Sequence, residues 1–132
     1  SLRIAHGQEE PILLGWIPRD NHRAIPCAVY AKTGPTPQYL VTLMFPHPTD
    51  EAPMVEAELL AQNDEMLAIR VRHDGAEETI LYAFDGPRAM SAGEVSADAR
   101  LALVRRAADG TLSGGLLEGG ELRVDGQVVP HE

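Results

Sequence analysis

The sequence has one cysteine, Cys27, so it can form neither a disulfide within the chain nor a cysteine-rich zinc site. Tryptophan also occurs once, at Trp16. No apolar run approaches the roughly 18 residues that a membrane span needs, and the N-terminus lacks the basic-then-apolar pattern of a secretion signal. Bases are scarce: 11 Lys and Arg stand against 20 Asp and Glu, a net charge of −9. That balance argues against nucleic acid as a partner, because phosphate binding needs clustered cations that release counterions, and it disfavours an acidic membrane surface for the same reason. The five histidines, His6, His22, His47, His73 and His131, fall in no recognisable zinc-binding pattern, so no metal is expected. Gly114-Gly115 and Gly119-Gly120 lack the lysine and the following helix of a phosphate-cradling loop, and are read as turns or bulges. No cofactor is implied. Ser1-Leu2 stands where an initiator methionine would, and the chain stops at His131-Glu132, which points to a piece cut from a longer protein.

At 132 residues the chain has the length of a single domain, 1–132, able to bury roughly two-thirds of its unfolded surface around one core. Short β-type runs recur between Gly, Pro and Asp punctuation. They are Ile12 to Ile17, Ile25 to Ala31, Tyr39 to Phe45, Met54 to Leu60, Met66 to Arg72, Glu78 to Phe84, Ala99 to Arg105, Leu112 to Leu117, Glu121 to Val124 and Gln127 to Val129. The pattern predicts an all-β fold: a two-layer antiparallel β-sandwich, jelly-roll-like, of about ten short strands. Tyr39-Leu40-Val41-Thr42-Leu43-Met44-Phe45 is the strongest run, and its continuous apolarity predicts burial on both faces. Met66 to Arg72 alternates instead, which predicts Leu67, Ile69 and Val71 on the core side and Ala68, Arg70 and Arg72 outside. Asp74-Gly75 and Asp125-Gly126 predict tight hairpin turns. Glu56 to Gln62 and Ala97 to Ala108 contain good helix formers, but the neighbouring β pattern and the turn signal Asp109-Gly110 favour strand. Thr33 to Pro37 and Pro46 to Pro53 read as Pro-rich loops.

Charge is unevenly placed. From Pro11 to Pro48 one acid, Asp20, faces Arg19, Arg23 and Lys32. Trp16 with Arg19, His22, Arg23 and Tyr30 provides the residue types of a substrate-binding site for a sugar or uronate, in which an indole stacks on a pyranose and guanidinium groups fork onto carboxylate or sulfate. The competing reading buries Trp16 in the core and leaves 18–23 as a solvated loop. Catalytic residues are not visible. Glu56 and Glu58 share a strand face but read as solvated carboxylates, and Cys27 reads as a buried, inert thiol with no histidine beside it. Of Tyr30, Tyr39 and Tyr82, Tyr30 alone lies near the basic segment.

Leu14-Gly15-Trp16-Ile17-Pro18-Arg19, then Tyr39 to Phe45 followed by Pro46-His47-Pro48, then Asp98 to Arg105 leading to Asp125-Gly126, resembles the C-terminal β-sandwich of heparinase II/III-like polysaccharide lyases. The resemblance implies a bacterial lyase that cleaves an acidic, uronic-acid-containing polysaccharide by β-elimination, periplasmic or secreted. In such enzymes an N-terminal α/α toroid and the adjoining sheet supply the catalytic Tyr and His and any metal. No position of this chain matches that pattern, so no catalytic residue is carried over and the fragment alone is expected to be inactive. Its partners would be the catalytic domain of the parent chain and acidic polysaccharide. The alternative is an autonomous carbohydrate-binding or protein-interaction module.

Overall fold

The structure, a computed structural model, describes residues 1–6, 26–36, 38–46, 48, 51 and 53–131. Its contacts gather into two compact units, Ser1–Phe45 and Pro46–Glu132. The described residues form strands, turns and irregular segments without a helix, and the strand pairs are antiparallel. None therefore forms a helix long and apolar enough to cross a membrane.

In the first unit, β1 (Leu2–His6) pairs with β2 (Pro26–Tyr30), Leu2 lying opposite Tyr30 and Ile4 opposite Ala28. Ala31 N–H donates to the Ser1 carbonyl at 2.8 Å and closes the ribbon's end. The Ile12 to Ile17 run lies outside the described residues. Tyr39 to Phe45 overturns its expectation: it belongs to no strand, and Leu40, Val41, Leu43 and Met44 are exposed rather than buried on both faces. The side-chain pattern creates a preference for pairing but not a partner, and among the described residues no strand lies beside this segment.

The second unit is a seven-stranded sheet of β3 (Val55–Gln62), β4 (Met66–His73), β5 (Ala76–Ala83), β6 (Arg88–Ala92), β7 (Val95–Arg106), β8 (Leu112–Val124) and β9 (Gln127–Val128). The order is β3-β4-β5-β7-β8-β9, with β6 on the first half of β7. Neighbours in sequence are thus mostly neighbours in space, and the path is a meander. Asp74-Gly75 and Asp125-Gly126 form the two tight turns expected of them, each with both residues at positive φ.

Strands β7 and β8 have 12 and 13 residues, longer than the sequence pattern suggests. Each serves both layers. The later half of β7 pairs with β5 and with Leu112–Leu117 of β8, while its earlier half pairs with β6 and with Gly119–Val124 of β8. The joint is a bulge at Asp98/Ala99, opposite Gly119-Gly120, with Glu118 left-handed at φ 51°. A Cβ on Gly119 would collide with the Ala99 side chain and the Asp98 carbonyl oxygen, so glycine is required for the strands to cross so closely. The bend is large. Gly114 and Leu122 are eight residues apart on one strand, roughly 26 Å if extended, yet a Cβ on Gly114 would meet the Leu122 side chain. Val129 N–H also donates to the Leu122 carbonyl at 2.9 Å.

The sheet therefore folds over itself into two antiparallel layers around one core, in keeping with the expected sandwich. The core contains Met66, Ala68, Leu81, Ala83, Met90, Val95, Ala99, Ala102, Val104, Leu122, Val124 and Val129 among others. Among the described residues it holds no aromatic ring; many of its members are alanines, which lets the layers approach closely. This arrangement differs from the facing expected for β4 at two of its three apolar positions; the third, Val71, is buried as expected. Ala68, fully buried, lies opposite Leu81 and joins the core, whereas Leu67 and Ile69 face away from it. Alternation alone does not say which face is inside; here the inner position takes the small residue because the facing layer supplies the bulk.

Candidate functional site

Of the residues expected to bind substrate, Trp16, Arg19, His22 and Arg23 lie outside the described residues. Tyr30 ends β2 and is half exposed. It borders a groove of about 690 Å³ lined by Ser1, Leu2, Tyr30, Ala31, Lys32, Thr33 and Leu40. The Ser1 ammonium donates to the Ala31 carbonyl at 2.6 Å, and Lys32 Nζ lies 3.5 Å from the Tyr39 carbonyl. The groove thus combines a phenol ring, apolar walls and the chain's one lysine. Cys27 nearby is half-buried rather than enclosed.

The second unit looks different electrostatically. Residues 1–45 carry four bases and three acids, a balance of +1, which leaves seven bases and seventeen acids, or −10, on 46–132. All seven of those bases are arginines, and each lies within ion-pair distance of a glutamate. Arg70 and Arg72 share Glu58 and Glu77; Arg88 pairs with Glu65, Arg100 with Glu118, Arg105 with Glu78, Arg106 with Glu94 and Arg123 with Glu121. The Arg123–Glu121 contact is double, at 2.6 and 3.0 Å. It holds the Glu121 carboxyl below its ordinary range and raises the arginine. Glu94 raises Arg106 likewise, while for Arg100 the larger cause is its hydrogen bond with Tyr82, followed by Glu118. A carboxylate or sulfate arriving at this unit would compete with a resident glutamate for each guanidinium. The Arg70 Nε lies 3.4 Å from Glu77 but out of line for a hydrogen bond.

Near the β4–β5 turn a groove of about 360 Å³ is lined by Met54, Glu56, Arg72, His73, Asp74 and their neighbours. His73 is the group with most chemical potential there. Its Nε2 is 3.4 Å from Glu78 and its Nδ1 3.7 Å from Asp74, so carboxylates stand at both ring nitrogens and neither is presented to a substrate. Glu56 and Glu58 are exposed, as the solvated reading expects, and Glu58 is further tied to two arginines. Among the described residues no group of three or more His, Cys, Asp or Glu could hold a metal ion.

The feature that the sequence did not reveal is a second apolar face on the sheet. In cross-strand register, Leu59, Ile69, Ile80 and Leu103 form one row, and Leu67, Tyr82, Leu101 and Leu117 the next. None of these belongs to the core or packs against it. Leu59 and Leu117 are 58% and 52% exposed, the others half-buried. Tyr82 also meets Phe84 edge-on, with ring centroids 5.8 Å apart. The short apolar stretches Met66–Ile69, Ile80–Ala83 and Leu101–Val104 within β4, β5 and β7 were the available signal. It means that both faces of this layer are built for burial.

The site and fold together define an all-β, antiparallel two-layer module with paired surface charge and an apolar outer face. No family model, curated protein or solved structure matches the chain.

Proposed function

We propose that the chain is a non-catalytic β-sandwich module that buttresses a larger catalytic domain of the same parent protein. The resemblance of its sequence to the C-terminal sandwich of heparinase II/III-like lyases supplies the class of that domain: a polysaccharide lyase acting on uronic-acid-containing chains by β-elimination. The observation that carries the docking role is the outer face of β3, β4, β5, β7 and β8, with its two rows of large apolar side chains. A sheet layer apolar on both sides gains stability when the second side is covered, at about 25 cal/mol per Å² of apolar surface removed from water. The paired arginines agree with a role outside the chemistry, since every arginine of the second unit already lies against a glutamate.

The test is association in trans with the catalytic region encoded in the same reading frame. Wild type co-elutes with it, and Leu59→Glu combined with Leu117→Glu abolishes co-elution while leaving the isolated chain folded. A reading frame with no lyase-type catalytic region, or association indifferent to the double variant, contradicts the proposal.

A second reading, carbohydrate binding by the module itself, is favoured by the Tyr30 and Lys32 groove. Calorimetric titration with alginate, heparin and chondroitin fragments separates the two. Saturable heat that disappears in Tyr30→Ala supports the second reading, and absence of heat with every glycan removes it.

A further inference from the structure

Leu40-Val41-Thr42-Leu43-Met44 is a strand-forming sequence without a sheet. It belongs to no strand, and none of its five residues makes a backbone hydrogen bond among the described residues. Leu40, Val41, Leu43 and Met44 are 63%, 53%, 43% and 84% exposed. Unpaired backbone groups flanked by apolar, β-branched side chains are a template for pairing with another chain. Two features say which chain.

The first is charge. Thr33 to Thr49 contains no Asp, Glu, Lys or Arg, in a chain of net charge −9. The −10 carried by residues 46–132 opposes close approach of two copies elsewhere, and this stretch is where repulsion is least. The second is self-complementarity. In an antiparallel pair of copies centred on Thr42, Leu40 faces Met44, Val41 faces Leu43 and Thr42 faces Thr42. Every cross-strand pair is then apolar–apolar or Thr–Thr, the combinations that favour pairing, and no like charges are opposed.

We propose that Leu40–Met44 is a homotypic pairing strand, through which a second copy of this chain adds antiparallel about Thr42. The pairing is independent of any lyase partner. Five residues a side is a small interface, well under the roughly 1,000 Å² typical of stable complexes, so the dimer dissociates on dilution.

Sedimentation velocity across a dilution series, combined with hydrogen exchange, tests the proposal. The expected result is a concentration-dependent dimer in which the amides of 40–44 become protected as dimer forms. Val41→Lys with Leu43→Lys puts lysine opposite lysine in the proposed register and weakens the dimer by about tenfold or more, as does Val41→Glu with Leu43→Glu. Mixing the two variants restores association, because residue 41 of one copy then meets residue 43 of the other with opposite charge. These side chains are exposed and outside both sheets, so both variants stay folded; circular dichroism verifies it. A monomer at all concentrations overturns the proposal. So does a dimer unaffected by the variants, failure of the mixture to recover, or protection of 40–44 already present in the monomer.

Discussion

At the scale of single residues, the structure assigns stability to small, fully buried side chains and charge to paired surface ones. Leu81, with no exposed surface, packs from β5 into the core between the two layers. Leu81→Ala is expected to cost about 2–5 kcal/mol, measured as a shift in urea midpoint; a loss under half of the lower figure would place the core elsewhere. Two surface carboxylates add pH dependence. The Thr111 backbone N–H donates to Asp109 at 2.9 Å and holds its carboxyl below the ordinary value, as Arg123 does for Glu121. A carboxyl lowered in the folded state contributes stability above its unfolded value, and that contribution is lost as pH falls through the folded value. Asp109→Asn with Glu121→Gln is therefore expected to lower stability at neutral pH and to shrink the drop on acidification below the ordinary carboxylate range. An undiminished drop in an acid titration of unfolding contradicts this. Residue identity was only partly legible beforehand. The alternation at Leu67 to Val71 is real, but sequence spacing carries no information about which face meets bulk, so Ala68 took the place expected of Leu67 and Ile69.

At the scale of elements, what is local was legible and what is long-range was not. The Asp-Gly turns require only φ > 0 at two adjacent positions, a property of the residues themselves. Glu56 to Gln62 and, within Ala97 to Ala108, Ala97 to Arg106, helix-prone by composition, form strand because neighbouring strands offer ladders to pair with. Strand β1 and strand β6 went unforeseen, since Leu2–His6 and Arg88–Ala92 are too short and polar to stand out before their partners are known. Tyr39 to Phe45 fails in the other direction, strong in propensity yet part of no strand among the described residues. The double-glycine motif became intelligible only with the bend it permits. Gly119→Val would drive side-chain atoms into Ala99 and the Asp98 carbonyl. The expected effect is a loss of about 1–3 kcal/mol in chemical unfolding, and an unchanged midpoint would mean that the strands do not cross as closely as described.

For the whole molecule, the buried core cluster among the described residues runs from Met66 to Val129, with Leu60 and Ala61 packed against it, inside the second unit. A chain beginning at Pro46 is accordingly expected to unfold in one cooperative transition, with near-native far-ultraviolet dichroism; a loss of cooperativity would show that residues 1–45 are needed to build the core. Chemistry was the least legible level throughout. No motif announced it, and what the described residues of the second unit present is arginines paired with glutamates beside an apolar sheet face. The central claim is that this chain joins a self-sufficient folded unit to a segment left open for pairing. Hydrogen exchange of the intact chain, at a concentration low enough to keep it monomeric, tests that most directly. The account predicts slow exchange through β4, β5, β7 and β8 with Leu40–Met44 exchanging as fast as an unstructured peptide; protection of Leu40–Met44 equal to that of β7 would contradict it.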